Sequence, residues 1–219
     1  MTKSEIAKRY VLFIISLFFS ALGVAVTKHG ELGVSPISSA ANVLSCKFSF
    51  FSLGTWLIIW NCVLIIGQIV ILRKAFQPIQ LLQVPLSFLF GWFTDFGMRL
   101  AAFIPADSYP VRLGLVFLGT VILGFGISLS VIANVIMNSG EAFVKAVSDK
   151  SRKEFGNVKI AFDVSCVVLA VVLSLVFFDF TLVGTREGTV IAALLTGIVV
   201  KFFTRKFSMP LNRILSGRS

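Results

Sequence analysis

The sequence predicts an all-α polytopic membrane protein: six transmembrane helices arranged as two inverted three-helix repeats, each with a short interrupted or re-entrant half-helix. Three observations point there. The mean hydropathy is +0.95, with 57% hydrophobic and only 14% charged residues over 219 positions, outside the usual range of soluble domains. Several apolar runs approach the roughly 20 residues a helix needs to cross hydrocarbon. The apolar pattern also breaks twice at one offset, because Gly23–Ser45 and Gly126–Ser148 align without a gap. Ser35 then meets Asn138, Pro36 meets Ser139 and Ser45 meets Ser148.

The first run, Tyr10–Thr27, follows Lys8 and Arg9 and imitates a secretory signal peptide, but Gly23 belongs to the repeat, so the segment is expected to be retained. The break Gly30-Glu31-Leu32-Gly33-Val34-Ser35-Pro36 comes next. Ser35 before Pro36 reads as an N-cap with proline at the first helical position, where its missing N–H costs nothing, so a short helix to about Ser45 is expected. Gly30 and Gly33 allow a tight turn before it. Spans over Gly54–Leu72 and Leu81–Phe103 follow, the second with Pro85 and Asp95 inside it. The fourth span, Val111–Met137, is longer and is expected to tilt, or to unwind near Asn134 and Asn138. In the second break Asn138 is the cap and Glu141 falls at the third helical position, a capping-box pattern. Ile160–Phe178 and Thr189–Phe203 complete the set. Further landmarks pair Gly54 with Gly156, Asn61 with Asp163, Gly91 with Gly197 and Asp95 with Lys201. Residues 1–105 make the first repeat, 106–207 the second, and 208–219 a basic cytoplasmic tail.

Charge sets the orientation. With the N-terminus inside, only Lys28, Lys47, Arg99, Arg112 and Arg186 of the 20 basic residues fall outside, leaving 20 − 5 = 15 within, which obeys the positive-inside rule. Both termini are therefore expected in the cytoplasm. Three helices per unit make the second unit enter from the opposite side, the arrangement characteristic of secondary transporters. The net charge of +10 lies between and after the apolar runs rather than on one soluble face, so nucleic acid is not an expected partner.

Helix starts present free backbone N–H groups that suit a carboxylate, phosphate or polar carbonyl. The candidate solute-binding residues are Gly33, Ser35, Ser38, Asn61, Asn138 and Glu141. Asp95 and Asp163, ionisable groups within apolar runs, are the candidate proton- or cation-coupling residues. Each has a plainer reading: Asp95 can pair with Arg99 and Asp163 with Lys159, both four residues apart, and Glu141 can serve only as a cap. Cys46, Cys62 and Cys166 show no ligand spacing, and neither an HExxH, a GxSxG nor a Walker loop occurs, so no metal, cofactor or enzymatic activity is expected. The expected function is secondary transport of a small polar or anionic solute. Alternatives are a substrate-binding membrane subunit of an ATP-driven importer, or a non-transporting scaffold or regulator. Expected partners are membrane lipid and the solute, with a homodimer or a membrane partner protein left open.

The first helix leading into Leu32-Gly33-Val34-Ser35-Pro36, the Gly54-Thr55-Trp56…Asn61 helix and the Phe90-Gly91…Thr94-Asp95 helix together resemble the YczE-like branch of the bacterial YczE/YyaS/YitT integral membrane proteins. The resemblance covers nearly the whole chain. It implies a bacterial cytoplasmic-membrane protein and assigns no catalytic residue. The soluble C-terminal domain that many YitT-type members carry has no counterpart in this sequence.

Overall fold

A computed structural model describes residues 3–216, and the described residues form helices with no strand. The long helices are α1 (Lys3–His29), α3 (Leu53–Leu72), α4 (Gln83–Ala101), α5 (Tyr109–Ala133), α7 (Phe155–Phe177) and α8 (Glu187–Ser216). Two short ones lie between them, α2 (Pro36–Lys47) and α6 (Ser139–Ser151). Five of the long helices, all but α4, combine the length and hydropathy needed to cross a membrane. At 19 residues and 1.5 Å per residue α4 reaches about 28 Å, while Gln83, Asp95 and Arg99 lower its hydropathy. Outward faces are apolar: on α7, Ile160, Val164, Val168, Val172 and Val176 repeat every fourth residue and are all exposed, a stripe that suits lipid rather than water.

Helix ends follow local chemistry. α5 stops at Ala133 because Asn134 adopts a left-handed conformation (φ 48°), which asparagine tolerates better than most residues. The fourth span thus ends four residues before Met137, and the chain unwinds between Asn134 and Asn138. The third span starts at Gln83 rather than Leu81, because Pro78–Leu82 forms a 3-10 turn. The last helix extends well beyond the apolar run, through residues 208–216 of the expected tail, with Pro210 inside it.

α1 and α5 form the central seam. A Cβ on Gly23 would lie 2.4 Å from the backbone nitrogen of Leu123, one on Gly119 would lie 2.6 Å from that of Thr27, and one on Gly126 would lie 2.4 Å from that of Ser20. The two backbones touch, as small residues permit between helices in lipid. Buried hydroxyls on and beside this seam turn back to their own helix: Thr27 Oγ1 donates to the Gly23 carbonyl (2.7 Å) and Thr120 Oγ1 to that of Val116 (2.7 Å). At one end buried Arg9 donates to the Ile132 and Ala133 carbonyls, both at 3.2 Å, and so caps α5.

Around this seam α4 packs on α1 and α3, α8 packs on α5, and of the short helices α2 packs on α7 and α3 and α6 on α3 and α7. α7 and α8, by contrast, barely meet.

Candidate functional site

The two short helices meet start to start. A Cβ on Gly140, in the first turn of α6, would lie within contact distance of Ile37 Cδ1, in the first turn of α2. Ser39 Oγ donates to the carbonyl of Cys166, halfway along α7 (3.3 Å), and Lys47 Nζ donates to that of Phe177 at its end (2.8 Å). α2 therefore runs beside half of a membrane-spanning helix. The start of α6 is fixed by a buried amide pair: Gln68 and Gln83 exchange two hydrogen bonds of 3.1 Å, and Gln68 Nε2 also donates to the Ser139 carbonyl at 3.1 Å. Neither Ser35 nor Asn138 caps its helix through its side chain. Both starts keep N–H groups for another acceptor.

A cavity of about 840 Å³ opens beside these starts. Its wall includes Ser35, Ser38, Asn61, Asn138, Glu141 and Asp163, six of the eight residues singled out from the sequence. Asn61 and Asp163, aligned across the two halves, thus share one space. Glu141 and Lys159 line the same wall. Asp163 forms an ion pair with Lys159.

The other two lie elsewhere. Gly33 turns the chain into α2 at φ +116°, and a Cβ there would sit 2.9 Å from the Thr189 backbone nitrogen. Beside it Gly188 N–H donates to the Leu32 carbonyl at 2.8 Å, tying the start of α8 to the loop before α2. Asp95 is outside the cavity wall. Its Oδ1 accepts from Gly54 N–H (2.9 Å) and its Oδ2 from Ser52 Oγ (2.6 Å), with no ion pair to Arg99. A carboxylate at the first turn of α3 also meets the positive end of that helix.

Sequence reasoning passed over several wall residues. Ser87, Trp60 and Ser20 line the cavity, as do the basic groups Lys201 and Arg205. The Ser20 hydroxyl, Trp60 Nε1 and the Thr204 hydroxyl are buried without a hydrogen-bond partner among the described residues. The i, i+4 spacing of Lys201 and Arg205 on one helix was a readable signal. The others depend on which faces of α1, α3 and α8 turn inward.

Long apolar helices enclosing a cavity with polar ends, and presenting apolar faces outward, define an integral, multi-pass membrane protein. The chain belongs to a family of unknown function, DUF6198, whose model matches residues 7–205. It is also similar to the uncharacterized membrane protein YczE of Bacillus subtilis (strain 168), 26% identical over 220 residues that cover 99% of this chain and 95% of that one. No solved structure matches it.

Proposed function

We propose that the protein is a secondary transporter of a small polar or anionic solute, coupled to a proton or cation, in which two inverted three-helix units rock about the α1–α5 seam. One observation carries this reading: the α3/α4 pair and its counterpart under the repeat, α7/α8, are in opposite states. Exchanging α1–α4 with α5–α8 turns the α1/α4 contact into α5/α8, α2/α7 into α6/α3 and α2/α3 into α6/α7, and all of these pack. The same exchange turns α3/α4, which packs, into α7/α8, which barely meets. A cavity shut at one pair and open at its counterpart is what alternating access requires at one end of the cycle.

In this reading α4 is the sixth span. Solute lies against Ser35, Ser38, Asn61 and Asn138, and Glu141 and Asp163 supply the carboxylates nearest to it. Asp95 couples indirectly, through the contact of α3 with α4 that it holds by accepting from Gly54 N–H and the Ser52 hydroxyl. The bias of basic residues supports cytoplasmic termini in a bacterial cytoplasmic membrane, with the α7/α8 opening toward the cytoplasm. The test is uptake of a metabolite panel into proteoliposomes, with Asp95→Asn and Asp163→Asn alongside. The reading fails if no solute moves and both variants leave cellular phenotypes unchanged. Copurification of an ATPase with a coupling membrane subunit would instead make the cavity the capture site of an ATP-driven importer.

A further inference from the structure

Between its polar groups the cavity wall carries a broad apolar stretch: Phe13, Leu17, Leu57, Phe90, Leu123 and Ile127 line it. A strongly hydrated solute would lose water against those side chains, which offer it no hydrogen bonds. An alkyl chain leaving a bilayer would lose nothing. The volume of about 840 Å³ is large enough for such a chain, within the roughly 300–1,000 Å³ of small-molecule sites.

The opening has the matching geometry. Gly156 on α7 and Gly197 on α8 have no atom within 4 Å of where a Cβ would stand, and the two helices barely meet. Both helices are long and apolar enough to span a membrane, so the gap between them is a side door onto acyl chains as well as onto water at its end. The charge there is positive. Lys159 is neutralised by Asp163, whereas Lys201 and Arg205, one helical turn apart on the wall, have no ion pair among the described residues. Like charges at this spacing repel, and an anion between them would relieve it.

We propose that the cavity takes an amphipathic anion, one alkyl chain bearing a carboxylate or phosphate head, which enters sideways between α7 and α8 and sets its head at Lys201 and Arg205. The inference rests on the reading of this cavity as the solute site. Trp60, on the wall, supplies the probe. In a Trp56→Phe/Trp92→Phe background it is the sole tryptophan of the three. The protein, in nanodiscs of zwitterionic lipid, is titrated with 12-bromododecanoate, whose bromine quenches only at short range.

Saturable quenching is expected. Lys201→Gln/Arg205→Gln should weaken it about tenfold, the loss of roughly one charge-assisted contact, and Lys201→Arg/Arg205→Lys should restore it. 12-Bromododecanol should quench without saturating, and inorganic phosphate should not displace the acid. Saturation by the alcohol at the same concentration, an unchanged curve in the double Gln variant, or displacement by phosphate would each overturn the proposal. If polar metabolites perturb Trp60 and the bromo acid does not, the amphiphile falls and the transport reading stands. If nothing perturbs Trp60, both fall.

Discussion

The α3/α4 pair and the α7/α8 pair carry the same small residues at aligned positions and behave differently. In the first, a Cβ on Gly54 would meet the Gly91 carbonyl, so the backbones touch. In the second, Gly156 and Gly197 face open space. The difference lies one turn beyond the glycine: where α4 has Asp95, the aligned residue of α8 is Lys201. A carboxylate accepts from Gly54 N–H and the Ser52 hydroxyl and is favoured at the start of α3; an ammonium can do neither for α7. Small residues permit a tight seam, but here a polar latch holds it shut.

The comparison can be broken most sharply at the glycines. Gly54→Val should overpack the closed seam and lower stability by about 3 kcal/mol, read by denaturant unfolding of the purified protein in micelles. Next comes the latch. Asp95→Asn keeps one oxygen for two donors and leaves Ser52 or Gly54 N–H unpaired, for an expected loss of about 2 kcal/mol in the same measurement. If Asp95→Asn unfolds like the parent protein, the latch is not what holds α3 to α4.

A smaller effect is expected from installing a latch on the open side. Lys201→Asp should favour the closed α7/α8 state by up to about 1 kcal/mol through the start of α7, visible as a shorter spin-label distance between the two helices and as slower uptake. The smallest effect belongs to Gly156→Ala. With nothing near its Cβ, stability should hold or rise by no more than about 1 kcal/mol, the ordinary helix gain of alanine over glycine. A loss as large as that of Gly54→Val would mean that α7 and α8 are packed in solution too, and the contrast between the pairs would vanish.

Much of the architecture was legible because the bilayer leaves few options. Apolar runs marked the long helices, and Ser35-Pro36 and Asn138 marked the starts of α2 and α6 to the residue. Hydropathy failed where helix and apolar run part company: α8 continues past Phe203 through a basic, amphipathic stretch that a membrane scale ignores. At the site, the two breaks led to Ser35, Ser38, Asn138 and Glu141 because capping chemistry is local. Asp95 was different. Seen in sequence it had only Arg99 within reach, whereas its partners Gly54 and Ser52 lie more than 40 residues away, and no local pattern discloses such a contact. Lys201 and Arg205 looked like flanking topology signals, and their place on the cavity wall follows from which face of α8 borders the cavity.

The glycine seam of α1 and α5 also bears on how the chain is made. Gly23 has its closest fit against Gly119 and Leu123, so α1 waits for a partner synthesised roughly 100 residues later, about 5–20 s at ordinary elongation rates. During that interval α1 stands in the membrane with its small-residue face unfilled and Arg9 without the carbonyls it will cap. The central seam closes only after α5 has entered.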